Sequence, residues 1–279
     1  YILFTSRFYP QFRGEWKDKV TIKHLLTHSS GLKPYIQYFK DNKYKSKDDI
    51  IYDIVSNQEL IYEPGIESKY SDLGMILLMD ISEKVTGRKF EELVSSWILN
   101  PLDMDNSSFN PSKNLLYKIA PTEKDSIFRN TLIHGVVHDE NTFIMGGVSG
   151  HAGLFSNTYD IANYAQMMLN HGIYNGKRIF SNRSISKFTK RQNMPINSDF
   201  ALGWDTPSKK GSTAGDLFSQ YSYGHLGFTG TSLWIDSEQN IIIILLTNRV
   251  YPSRDKKGMY QLRRSFHNEV MTTIKNGGV

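Results

Sequence analysis

The sequence predicts an α+β protein, and three observations carry that prediction. Apolar residues recur at helical spacing in separate, capped stretches up to about Asn170. The runs Thr231–Ile235 and Ile241–Asn248 are rich in β-branched residues and lie either side of Asp236-Ser237-Glu238-Gln239-Asn240, which reads as a hairpin connection. The last stretch, Gly258–Lys275, is amphipathic and could lie across the resulting sheet. No internal repeat or low-complexity linker interrupts the chain. It therefore reads as one unit over residues 1–279, with 21–200 a mostly helical lobe with cleft loops and 201–279 the hairpin and closing helix.

Thr21 is placed to cap a short helix over Ile22–His28, because its hydroxyl can accept from first-turn amides; Gly31 and Pro34 stop it. Ser46 precedes a helix over Lys47–Asn57, with Ile50, Ile51, Ile54 and Val55 on one face. Glu63-Pro64-Gly65 is a turn. From Ser71, the run Leu73, Met75, Ile76, Leu77, Leu78, Met79, Ile81 and Val85 is too apolar for a surface helix and ends at Gly87, so this helix is expected to be central and buried. Another spans Phe90–Leu99 before Pro101. Residues 103–157 read as a long irregular region, and long loops in compact domains tend to carry function. A helix over Thr158–Asn170 follows, with Gly172 behind it.

Composition narrows the function classes. With 279 residues and 39% hydrophobic content the chain can bury a sizeable core. The net charge of +5 comes from scattered basic residues and short runs such as Lys40–Lys47 and Arg254–Lys257. These read as solvated faces, and no nucleic-acid recognition motif accompanies them. The absence of cysteine excludes a thiol nucleophile, a disulfide framework and a thiolate-ligated metal. Ile241–Leu246, among the longest apolar runs, is far below the roughly 20 residues of a membrane span. The opening Tyr1-Ile2-Leu3-Phe4 has no basic region and too short an apolar stretch for a signal peptide, so residue 1 is expected to be an internal cut.

Three stretches then stand together: Thr21-Ile22-Lys23-His24-Leu25-Leu26-Thr27-His28-Ser29-Ser30-Gly31-Leu32; Pro64-Gly65 followed by Tyr70-Ser71-Asp72; and His225-Leu226-Gly227-Phe228-Thr229-Gly230. In that order they resemble the serine β-lactamase, DD-peptidase and esterase family that includes the class C β-lactamases. The similarity also takes in Pro101-Leu102-Asp103-Met104 and Gly146–Ser156. It is greatest to a branch in which such a domain often follows a family 3 glycoside hydrolase, so a fused upstream glycosidase is one expected partner. The resemblance implies a DD-peptidase-like fold: an antiparallel sheet flanked by helices, a mostly helical second lobe, and the site in the cleft between them. It also implies an extracytoplasmic location and no cofactor.

By the same resemblance Tyr70, Asp72 and His225 are catalytic, while Gly227, Phe228, Ser71, Gly150, His151 and His138 contact substrate or the oxyanion. A phenol near pKa 10 is a poor base, but cationic neighbours would favour its phenolate and let it relay a proton from nucleophile to leaving group. The alternative is a Tyr70 that merely caps the core. Asp72 departs from the more usual Asn, and it could equally be a first-turn acid complementing the helix dipole. His225 stands where β-lactamases carry Lys, which resembles peptidases and esterases. Leu226 removes a hydroxyl that relatives often use to hold a substrate carboxylate. Gly227 permits close approach, and the Phe228 amide would be one oxyanion donor. His134–Asn141 with His151 has no metal-motif spacing and reads as a substrate-lining loop, with His138, Asp139 and Asn141 holding its shape or contacting substrate.

The family's nucleophile is a Ser-x-x-Lys at a helix start. Ser30-Gly31-Leu32-Lys33, Ser184-Ile185-Ser186-Lys187 and Ser253-Arg254-Asp255-Lys256 match the pattern only formally. Gly31 and Pro34 break the first, the second lies after the cleft motifs, and the third sits in a polar turn behind Pro252. The nucleophile is therefore expected upstream of Tyr1. The expected activity is hydrolysis through a serine ester of an ester, a D-amino-acid amide or a cell-wall peptide; the alternative is a non-catalytic peptidoglycan-binding, glycan-binding or packing module.

Overall fold

The computed structural model describes residues 2–277. Helix α1 (Ile22–Leu26) starts behind Thr21, whose hydroxyl accepts from the His24 N–H while the His24 ring accepts from the Thr21 N–H. It ends two residues short of the expected His28, because His28 turns into the left-handed region at φ 52°. Helix α2 (Lys47–Ser56) is capped by Ser46, and α3 (Asp72–Thr86) runs from the Ser71 cap to Gly87 at φ 69°, as the apolar run predicts. Helix α4 (Phe90–Val94) continues as one wide turn over Ser95–Leu99. Leu25, Ile50, Ile54, Leu73, Ile76 and Leu77 meet Phe12, Val20 and Tyr38 in one helical core, all fully buried.

The 103–157 region is largely irregular and is braced by two short antiparallel pairs. Strand β1 (Ser108–Phe109) pairs with β4 (Leu154–Phe155), and β2 (Glu123–Asp125) with β3 (Thr131–Ile133). A one-turn helix, α5 (Glu140–Ile144), lies within it. After α6 (Thr158–Leu169) come a small hairpin, β5 (Ile173–Tyr174) with β6 (Lys177–Arg178), and α7 (Asn182–Thr189). Sequence periodicity does not reveal α7: it is short, buries only Ile185 and leaves Phe188 exposed.

The main sheet is antiparallel in the order β7 (Ser222–Leu226), β8 (Ser232–Asp236), β9 (Ile241–Leu245). Period-2 alternation sends Trp234 and Ile243 to one face, where Met271 of α8 (Met259–Lys275) covers them. Tyr223 and Ile235 go to the other face, against Ala165, Met168 and Leu169 of α6. The sheet is thus flanked by helices on both faces. Helix α6, which the sequence groups with the helical lobe, is part of this layered half. Among the described residues no strand pairs with the outer edge of β9.

Candidate active site

The segment Thr27–Pro34 forms a cradle for the segment that leads into α3. Gly65 N–H donates to Ser29 O (2.8 Å), Ile61 N–H to Gly31 O (2.8 Å), Lys69 N–H to His28 O (2.9 Å) and Asp72 N–H to Pro34 O (2.9 Å). Two separated motifs are joined by backbone hydrogen bonds, and the product of that pairing is the position of Tyr70. His28 is the residue at the junction. Its Nδ1 accepts from the Ser71 N–H at 3.1 Å, and its ring lies 4.3 Å from the Tyr70 ring and 4.9 Å from Phe200. Burial, then neighbouring His225, pushes its pKa down to about 3, and the Ser71 N–H donating to Nδ1 suits the neutral ring. Sequence reasoning gave His28 no role; its left-handed backbone is visible only in three dimensions.

Tyr70 is 40% exposed and faces His225 of β7, ring to ring at 6.0 Å. His225 Nδ1–H donates to Leu226 O at 2.9 Å, which leaves Nε2 as the acceptor, and burial lowers its pKa. The expected cationic neighbours of Tyr70 are not there among the described residues. Burial, followed by the charges of Asp72 and Asp139, moves the phenol pKa up rather than down.

Asp72 opens α3 and meets two residues of the long irregular region: one ligand atom each of Asp72, Asp139 and His151 lies within 4.8 Å of the others. Asp139 accepts from the Thr142 N–H (2.7 Å) and from His151 Nε2–H (3.2 Å). Those donors and the His151 charge hold its pKa down to about 2 although burial opposes them. His151 is raised by Asp139 against its own burial, and its Nδ1 is 2.8 Å from Ser149 Oγ. Asp72 has no such donors, and burial pushes its pKa up to about 6, with His151 moderating and Asp139 adding to the rise. Two carboxylates and an imidazole could together hold a divalent cation. His134 and His138 take no part: His134 Nε2 is 2.7 Å from Ile119 O, and His138 Nε2 is 2.7 Å from Glu123 Oε2.

Other expected site residues are placed differently. Ser71, expected at the substrate, is 1% exposed; its hydroxyl donates to Lys33 O (2.7 Å) and caps α3 by accepting from the Gly74 N–H (3.3 Å). Gly150 packs on α3: a Cβ there would fall inside contact distance of the Met75 carbonyl oxygen. His138 stacks on Phe228 at 5.6 Å and belongs to a buried network in which Arg254 bridges Glu123 (2.6 Å) and Glu140 (2.7 Å). Gly227 and Phe228 lie in the turn from β7 to β8, closed by Gly230 N–H donating to Gly227 O at 3.0 Å. The Phe228 N–H makes no hydrogen bond among the described residues, while its carbonyl accepts from Arg249 Nε at 2.9 Å.

None of the formal Ser-x-x-Lys matches lies in this cluster. Ser30 is 1% exposed, and Lys33 donates to Gln58 Oε1 at 3.0 Å. Ser184 bonds Ser181 Oγ at 2.8 Å in the first turn of α7, and Ser253 donates to Asp255 (2.7 Å) while Lys256 donates to Tyr251 O (2.6 Å).

The comparisons with known proteins agree with this architecture. The family model described as Beta-lactamase matches residues 5–267. A Salmonella agona protein provisionally named D-alanyl-D-alanine carboxypeptidase is 34% identical over 88% of this chain and 62% of its own length; a Salmonella typhi protein of the same name matches equally. The chain thus spans 62% of the length of these curated relatives. Among solved structures, a family VIII carboxylesterase superposes with a TM-score of 0.69 at 16% identity, covering 96% of this chain and 76% of that one. The octameric penicillin-binding protein homologue from Pyrococcus abyssi superposes at 0.64 and 23% identity, covering 92% and 58%. With its family match running over almost the whole chain and its sheet and helices arranged as in penicillin-binding proteins and esterases, this chain belongs to the beta-lactamase family of serine hydrolases.

Proposed function

We propose that residues 1–279 form most of a domain that hydrolyses esters, D-amino-acid amides or cell-wall peptides through an acyl-serine, with the serine outside these residues. The observation that carries this reading is the meeting of Tyr70, at the head of α3, with His225 on β7, their rings 6.0 Å apart across the junction of helical core and sheet. A serine hydroxyl attacks the substrate carbonyl; the new oxyanion takes the free Phe228 N–H, and Tyr70 passes the serine proton to the departing oxygen or nitrogen. Water then breaks the acyl-serine bond. Tyr70 begins as a protonated phenol: it gives its own proton to the departing oxygen or nitrogen and takes the serine's proton in exchange, ending as a phenol again, with the lysine cation of the Ser-x-x-Lys turn favouring the phenolate character in between. His225, neutral, orients the phenol through its free Nε2. Asp72 belongs to the same reacting group, and Ser71 and Gly150 position it from behind. Cell-wall substrates imply an extracytoplasmic setting, and a glycosidase fused upstream would be a partner of matching chemistry.

The test is covalent labelling of the full-length protein with a fluorophosphonate, followed by peptide mapping. The label is expected on a serine outside residues 1–279. Modification of Ser30, Ser184 or Ser253 would overturn that placement, and a protein neither labelled nor active on p-nitrophenyl acetate would be a binding module.

A further inference from the structure

We infer that Arg263 of α8 is a positioning residue for the oxyanion, acting through the Gly227–Phe228 peptide: it grips the carbonyl of the peptide unit whose N–H is the proposed oxyanion donor. The inference rests on the hydrolase reading above. Helix α8 turns Arg263, His267 and Met271, at i, i+4 and i+8, toward the sheet, and all three are buried. Met271 packs on Trp234 and Ile243. His267 docks the helix, its Nδ1–H donating to Thr213 O at 2.7 Å and its Nε2 accepting from Ser232 Oγ at 3.1 Å. Arg263 brings a charge to the same stripe. It is 8% exposed, and its guanidinium donates to three backbone carbonyls of the β7–β8 turn: Nε to Gly230 O at 3.0 Å, and Nη2 to Gly227 O at 2.6 Å and Thr231 O at 2.9 Å. Among the described residues no carboxylate pairs with it; burial, then the charge of Arg249, lowers its pKa. A buried cation without a counterion is costly, and a site where negative charge appears during the reaction gives it a use.

Gly227 O is the acceptor that matters. It belongs to the same peptide unit as the Phe228 N–H, and in a trans peptide the two point in opposite directions. Arg263, behind the peptide, therefore leaves the N–H aimed away from α8, and the Gly230 N–H, donating to the same oxygen at 3.0 Å, helps fix the peptide plane. A charged donor on the carbonyl polarises the amide and strengthens what its N–H offers to an acceptor. The Phe228 N–H has no acceptor among the described residues, so an incoming oxyanion receives that strengthened bond. The turn has little room to shift: a Cβ on Gly227 would collide with Thr231 Oγ1, and one on Gly230 with Thr247 Oγ1.

The test uses the full-length protein and two substrates that differ in one atom, p-nitrophenyl acetate and its thiono analogue, in which C=S replaces C=O. Sulfur is a weak hydrogen-bond acceptor, so the thiono ester draws little on an oxyanion donor. Arg263→Met keeps an apolar stem but removes the charge and the donors. Its kcat on the oxo ester is expected to fall about 10- to 100-fold with KM within about threefold of the wild type, while kcat on the thiono ester changes by less than about twofold. Arg263→Lys keeps the charge but loses the planar fork, and is expected to lose about 3- to 10-fold on the oxo ester alone. Melting temperatures report folding, and if only the Lys variant folds, its oxo-to-thiono ratio decides. Equal losses on the two esters, no loss in any variant that folds, or failure of both variants to fold makes Arg263 a staple between helix and turn and overturns the inference. A wild type that takes the fluorophosphonate and hydrolyses both esters, with variants slowed equally on both, refutes this inference alone, whereas a wild type without label or turnover refutes the hydrolase reading.

Discussion

Replacing His28 by Asn should change the acid stability of this protein in a direction that the structure fixes. Asn keeps an acceptor for the Ser71 N–H and tolerates the left-handed backbone at φ 52°, but it cannot take up a proton. His28 is 2% exposed, and its pKa is pushed down to about 3 by burial and then by His225. A depressed histidine favours folding while it stays neutral. That advantage is complete above the unfolded pKa of about 6.5 and is lost as pH falls from there toward 3, at about 1.4 kcal/mol per unit. Between pH 7.5 and 4.5 the wild type should therefore lose about 3 kcal/mol that His28→Asn does not lose. For a protein of this size that is roughly 5–10 °C in Tm. At pH 7.5 the variant should melt lower, because the ring contacts with Tyr70 and Phe200 are gone. Scanning calorimetry of both proteins at pH 7.5, 5.5 and 4.5 measures the difference, in which titrating groups that do not interact with His28 cancel. A gap between the two melting temperatures that stays constant across this range would show that His28 titrates as it does in water, and that the cradle does not seal it.

Tyr70→Phe in the full-length enzyme should lower kcat on an amide by about 100- to 10,000-fold with little effect on folding, and His225→Ala by less, about 10- to 100-fold; steady-state kinetics of the pair decide the order. Gly150→Ala should destabilise by about 2 kcal/mol or more, read by denaturant unfolding, because its methyl group collides with the Met75 carbonyl of α3. Ser71→Ala should cost about 1–2 kcal/mol in the same assay, having removed the α3 cap and stranded the bond to Lys33 O.

What the sequence by itself determined is local. Helix α3 is legible from Ser71 to Gly87 because cap, apolar run and stop are set by neighbours within a turn, and the β8–β9 hairpin because alternation and turn residues are adjacent in the chain. The family was likewise readable from short motifs, the same motifs that single out Tyr70 and His225 as candidates. Only the tertiary structure decided which side chains share charge. Asp72 meets Asp139 and His151 from a different part of the chain, so its raised pKa, and the anionic rather than cationic surroundings of Tyr70, follow from burial and from distances no local pattern encodes. Ser71 turned inward to Lys33 O, Gly150 served the packing of α3, and His28 became the hinge between two motifs. Helix propensity and periodicity are properties of a residue and its neighbours within a turn or two. Desolvation and ion pairing depend on everything that folding brings within a few ångströms, and that is why the elements could be read from the chain while the electrostatics of the site could not.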